Sequence, residues 1–233
     1  MNDTYRNTLG AGLMLLAAGV NAKDADTGWY FGLGLGAAQY PNDIPHEVVA
    51  AYAGNTTFDL LDAKTTDSRD TAGQAFVGYR FMPWLGAEIG YQDLGTARTF
   101  YSLHSNQFVI NPVPIQLKGE YSVRDFNAAL VVSWPVREDF ELLARAGVAD
   151  TRLRYDEHGN DAGGHPYSFN ARPLTRWNAQ PSIGALWRLT AHMALRLDLD
   201  RNFNIGKKFA LTSEGNGHFD HIDAYMLNLV WKP

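Results

Sequence analysis

Trp29-Tyr30-Phe31-Gly32-Leu33-Gly34-Leu35-Gly36-Ala37-Ala38-Gln39 decides the fold. Trp29, Phe31, Leu33, Leu35 and Ala37 share one parity, while Gly32, Gly34, Gly36 and Ala38, with Tyr30, occupy the other. A strand sends successive side chains to opposite faces, so this segment has one bulky apolar face and one nearly bare face. The Gly-x-Gly-x-Gly run does not read as a nucleotide loop. Such a loop follows a strand and opens a helix, whereas these glycines sit inside the strand pattern.

The same period recurs over Ala72–Phe81, Leu85–Asp93, Phe126–Trp134, Phe140–Thr151, Trp177–Trp187, Met193–Leu199 and Asp223–Trp231. Each segment is close to the roughly 9–11 residues that a tilted strand needs to cross a bilayer. Connections alternate in length. Met82-Pro83-Trp84, Pro135–Asp139 and Leu189–His192 are tight; Tyr40–Thr71, Ser102–Ser122, Asp156–Arg176 and Ile205–Ile222 are long and polar. An even strand count with alternating short turns and long loops predicts an all-β, eight-stranded antiparallel up-and-down transmembrane barrel. A lipocalin-like barrel, the soluble rival, would put its large apolar residues inside.

Composition fits this reading. The chain has 233 residues, of which 45% are hydrophobic and 19% charged, and the formal net charge is −5. The charged share is below the roughly 25% of soluble domains. No basic footprint for nucleic acid is present. The absence of cysteine excludes disulfides, thiol catalysis and Cys-ligated zinc. Arg6, the apolar run Leu9–Val20 and Val20-Asn21-Ala22 before polar Lys23 resemble a signal peptide. The expected division is therefore an export signal over 1–22 and an outer-membrane barrel over 23–233.

No charge interrupts the apolar stripes, as the lipid face requires, since a midplane Lys or Arg there costs about 2–4 kcal/mol. Trp29, Trp84, Trp134, Trp177, Trp187 and Trp231 fall near strand ends, where aromatic girdles mark the membrane interfaces. Trp29, Trp84, Trp134, Trp187 and Trp231 are the expected interface anchors. The polar parity collects Glu88, Glu141, Arg80, Arg145, Arg196, Asp198 and Asp200. A narrow barrel is filled by side chains, so these charges are expected to pair inside.

Gly78-Tyr79-Arg80-Phe81-Met82-Pro83-Trp84-Leu85-Gly86-Ala87-Glu88-Ile89-Gly90-Tyr91-Gln92-Asp93-Leu94-Gly95 resembles strand 2, turn 1 and strand 3 of the OmpA family transmembrane domain. Trp29-Tyr30-Phe31-Gly32, Trp134-Pro135, and Arg196-Leu197-Asp198 with Asn202-Phe203-Asn204-Ile205-Gly206 resemble its first strand, second turn and seventh strand. The resemblance covers nearly the whole chain after the signal. It implies an internal ionic lock: Glu88, Arg145 and Asp198 fall at inward charged positions, while the family's inward lysine on strand 4 is replaced by Val131, so that Arg196 or Arg80 is expected to substitute. It also implies a location in the outer membrane of a Gram-negative bacterium, among lipids and lipopolysaccharide, after insertion by the barrel-assembly machinery. The sequence as read ends with the eighth strand, so no periplasmic peptidoglycan-binding domain is expected.

The resulting functional expectation is a monomeric structural or surface-interaction barrel with an ion-paired, largely closed lumen and loops that meet an extracellular ligand. No catalytic residue, cofactor or metal is assigned. A low-conductance pore and a lipid A-modifying enzyme are the alternatives. His104-Ser105 would carry the enzyme reading; it lacks an evident third group. His218, Asp220, His221 and Asp223 form a conceivable metal cluster. Arg152, Arg154, Arg172 and Arg176 flank the third long loop and could meet lipopolysaccharide phosphates.

Overall fold

A computed structural model of the protein describes residues 27–41, 58–106, 114–210 and 216–233. The signal segment 1–22 and much of the first long loop lie outside these residues.

The described residues form ten antiparallel strands: β1 Gly28–Gln39, β2 Phe58–Asp67, β3 Arg69–Met82, β4 Leu85–Ser105, β5 Ile115–Pro135, β6 Phe140–Asn160, β7 Pro166–Asn170, β8 Leu174–Arg188, β9 Met193–Ala210 and β10 Asn216–Trp231. Two of the ten, β2 and β7, pair with β4 and β6 outside the main ring. The remaining eight pair in the order β1-β3-β4-β5-β6-β8-β9-β10, and β10 returns to β1 through rungs from Phe31↔Trp231 to Gln39↔Asp223. Closure leaves no edge strand in the ring, which lipid demands because it cannot hydrogen-bond a free backbone group.

The alternation puts the predicted faces where lipid and lumen require them. Leu33 and Leu35 are 69% and 71% exposed, on the outer wall, whereas Glu88 is 2% exposed and faces inward. The bare face of β1 also faces the lumen. A side chain at Gly32 would run into the Phe76 ring, and one at Gly78 into Tyr30, so these glycines make room for large neighbours. Two of the tight turns close with backbone bonds, Val136 N–H to Phe140 C=O and Leu189 N–H to Met193 C=O, both 2.9 Å.

The long loops are the main departure from expectation. β5 and β6 each run 21 residues, about twice what the bilayer needs. Their upper halves stand beyond the membrane as a continued wall. Most of Ser102–Ser122, Asp156–Arg176 and Ile205–Ile222 is therefore strand. One signal was hidden by a bulge between Asp93 and Thr96. Gly95 sits there with φ +72°, a conformation that favours glycine. The bulge moves the inward parity from Gln92 and Leu94 to Ala97, Thr99 and Tyr101.

Candidate functional site in the barrel lumen

The lumen is filled in three levels. At the short-turn end, Glu141 accepts from Arg80 Nη2 at 2.9 Å and also pairs with Arg188. Above that lies a ring of Phe76, Val131, Leu143, Leu186, Ala194 and Val230. A cavity of about 120 Å³ sits at this end, bounded in part by Tyr30, Arg80, Arg188 and Arg196.

The middle level is charged. β4 presents Glu88, β6 Arg145, and β9 Arg196, Asp198 and Asp200, all turned inward by strand parity. Glu88 lies between two guanidiniums. Arg145 Nη1 donates to Glu88 Oε2 at 3.1 Å, Arg196 Nη2 donates to the same oxygen at 3.1 Å, and Arg196 Nη1 donates to Oε1. Tyr30 O–H also donates to Glu88 Oε1, at 2.8 Å. Arg196 Nε reaches Asp198 at 2.9 Å, and Arg145 pairs with Asp200. Phe76 lies under the Arg196 guanidinium, 4.7 Å from its ring centroid, an attractive placement for a desolvated cation.

Amides complete the level. Gln74 donates to Asn228 at 2.6 Å, Asn228 donates to Asp198 at 2.9 Å, and Gln180 donates to Gln92, which donates to Asp200, both at 3.0 Å. Three carboxylates thus face two guanidiniums, and amide donors serve the remaining oxygens. Buried charges persist only when paired and hydrogen-bonded in this way.

The outer level is apolar and aromatic: Tyr40, Leu94, Tyr101, Leu117, Tyr121, Tyr155, Ile205, Phe219 and Ile222 belong to one buried cluster. Tyr121 stacks on Tyr155 at 4.9 Å, and Phe219 meets Tyr121 edge-on at 5.5 Å. The hydroxyls of Tyr101 and Tyr155 both donate to the buried Glu157. Burial, with Tyr121, Tyr101 and Glu157 close by, pushes the Tyr155 phenol far above the ordinary tyrosine range, so it remains a neutral donor.

The sequence-derived site residues are distributed unequally. Glu88, Arg145, Arg196 and Asp198 come together in one network, and Val131 belongs to the apolar ring below it. Trp29, Trp84, Trp134, Trp187 and Trp231 are all exposed on the outer wall at the short-turn end, with Trp231 5.9 Å from Phe31. Trp177 lies instead toward the opposite rim, opposite Asp150. His104 and Ser105 are neighbours on β4 rather than loop residues; His104 is exposed and Ser105 buried, so they point to opposite faces and cannot form a Ser–His pair. In the proposed metal cluster, Asp223 is held by Arg201 through bonds of 2.6 and 2.7 Å. Among the described residues no group of three or more potential metal ligands converges. Arg152 and Arg154 are outward on β6 and exposed, Arg154 pairing with Asp156 at 2.9 Å; Arg172 is exposed just before β8, and Arg176 is exposed on β8 itself, opposite Thr151. The sequence places Gln92 and Gln180 on the polar parity of their strands without assigning them to the network, and Arg188 and the Tyr101–Tyr155–Glu157 group were missed.

A closed antiparallel ring with an apolar lipid face, an aromatic girdle and a charge-filled interior defines a transmembrane β-barrel of the bacterial outer membrane. The family model for the OmpA-like transmembrane domain matches residues 23–226, and the chain belongs to that family. It is 26% identical over 202 residues to outer membrane protein A of Serratia marcescens, covering 85% of this chain and 48% of that protein. It is 27% identical over 191 residues to outer membrane protein A of Klebsiella pneumoniae, covering 80% and 47%. The chain thus spans about half the length of these relatives. Among solved structures, Neisserial surface protein A is similar over 88% of this chain and 97% of that one, at 12% identity and a TM-score of 0.46. Membership places the protein in the outer membrane of a Gram-negative cell.

Proposed function

We propose that this barrel is a closed structural element of the outer membrane that carries a tall extracellular wall for surface interactions, and that it neither conducts freely nor catalyses a reaction. The observation that carries the reading is the clamping of Glu88 between Arg145 and Arg196, with an apolar level on each side of it. An ion crossing the lumen would have to displace hydrogen-bonded, desolvated charges, which is costly. The opposed directions of His104 and Ser105 speak against the lipid A-modifying alternative.

In this reading, residues 1–22 direct export, and the barrel acts as a monomer among lipids. The outward Arg152 and Arg154 meet lipopolysaccharide phosphates. The extended strands, rather than flexible loops, present the surface to an extracellular ligand. Liposome swelling tests the closed lumen: vesicles carrying the purified barrel should not swell in small sugars beyond protein-free vesicles. Rapid swelling would favour the pore.

A further inference from the structure

The cavity of about 120 Å³ at the short-turn end has walls of one charge sign. Among the described residues Arg80, Arg188, Arg196 and Lys232 line it, and no Asp or Glu does. The acids that hold the arginines stand outside the cavity. Glu141 accepts from Arg80 at 2.9 Å and pairs with Arg188, while Arg196 pairs with Glu88 and, at 2.9 Å, with Asp198. Arg80 and Arg188 share one buried carboxylate. Two guanidiniums carry more N–H donors than one carboxylate accepts, so they can take a second anion alongside the partners they have. Lys232 is fixed at the mouth by the last turn: its N–H donates to His192 C=O at 2.8 Å, and its own carbonyl meets the His192 ring at 3.0 Å.

Behind these cations the cavity is apolar. Val131, Leu143, Leu186 and Val230 line it, and each is at most 8% exposed. Register gives the order from mouth to roof. The inward residues of β9 and β10 climb from His192 and Lys232, through Val230↔Ala194, to Asn228↔Arg196. A molecule entering from this end therefore meets charge first, then hydrocarbon, and stops beneath the Arg196 guanidinium. The volume is below the roughly 150 Å³ of a cavity that holds benzene, which limits an apolar chain here to a few carbons. A concave apolar site with a few converging polar groups is the usual form of a small-molecule pocket, and the charge of this one selects an anion.

We propose that this cavity binds a short-chain fatty carboxylate from the periplasm, the side that short turns face in outer-membrane barrels. The carboxylate meets Arg188, Arg80 and Lys232, and the alkyl chain lies against Val131, Leu186 and Val230. Guanidinium forks match the planar carboxylate, and burial of each methylene adds affinity until the chain reaches Arg196.

The test is calorimetric titration of the full barrel in nanodiscs with hexanoate, with empty nanodiscs subtracted. One saturable site per barrel is expected. Affinity should rise about fourfold per methylene from butyrate to hexanoate and stop rising by decanoate, whereas partition into lipid would continue to rise. Hexylamine should not displace hexanoate. Arg188→Gln, which leaves Arg80 on Glu141, should weaken binding about tenfold. Methyl NMR of the wild type gives a reading that does not depend on a variant folding: hexanoate should shift Val131, Leu186 and Val230 and leave Leu103 and Leu117 of the outer level unchanged. Any of four results overturns the proposal: no saturable binding above empty nanodiscs, displacement by hexylamine, unchanged affinity in Arg188→Gln, or shifts confined to lipid-facing methyls such as Leu33.

Discussion

Removing Arg196 should destabilise the barrel more than removing the charge of Glu88, although Glu88 is the group held from both sides. Glu88→Gln leaves two carboxylates, Asp198 and Asp200, facing two guanidiniums, and each arginine keeps one partner: Arg196 with Asp198 at 2.9 Å, and Arg145 with Asp200. The new amide can still accept from Tyr30. Breaking a buried pair costs about 3–5 kcal/mol, and this balanced variant should fall at or below about 3 kcal/mol. Arg196→Met leaves Glu88, Asp198 and Asp200 with Arg145 alone, and strips Phe76 of its cation. Its cost should lie near about 5 kcal/mol. Both values are read from urea unfolding in lipid vesicles, following the gel-mobility difference between folded and boiled barrel. Equal costs, or a larger loss for Glu88→Gln, would refute the charge count on which the ranking rests.

Gly32→Val should lower the folded fraction in the same assay, because its side chain meets the Phe76 ring that lies under Arg196, whereas Leu33→Val on the lipid face should be nearly neutral. Trp231→Ala should sharply reduce assembled barrel in whole cells while Pro233→Phe leaves it equal or improved, since Trp231 is the half-exposed aromatic that ends the stripe Tyr225, Leu227 and Leu229; normal heat-shifted yield of Trp231→Ala would sink that reading of the final strand. Single replacement of His104 or Ser105 by Ala should leave lipid A acylation, read by mass spectrometry, the same as with wild type, and loss of an acyl chain only with wild type would restore the enzyme alternative.

The strand cores were legible because lipid and lumen impose opposite chemistry on alternate residues. Leu85, Ala87, Ile89 and Tyr91 against Gly86, Glu88, Gly90 and Gln92 is such a record. Above the membrane that contrast fades: outward Arg98 and Phe100 and inward Thr99 and Tyr101 carry no simple polarity code, and the Gly95 bulge shifts the parity. Strand ends therefore read as loop. In the membrane-level lumen, parity identified Glu88, Arg145, Arg196, Asp198 and Asp200 as inward, but it missed Arg188 and Glu157, and partners depend on the stagger between strands. Nothing in the sequence places Arg188 of β8 on Glu141 of β6, or Gln92 of β4 on Asp200 of β9. The girdle tryptophans were legible as strand-end aromatics, yet their separation into five at one rim and Trp177 toward the other follows from strand direction alone.

Single-channel recording in a planar bilayer tests the closed, ion-paired lumen most directly. The purified wild-type barrel should give no steady conductance steps above baseline, and Arg196→Met, with its plug unbalanced, should give measurable openings. Large steady currents through wild type, unchanged by Glu88→Gln or Arg196→Met, would contradict it.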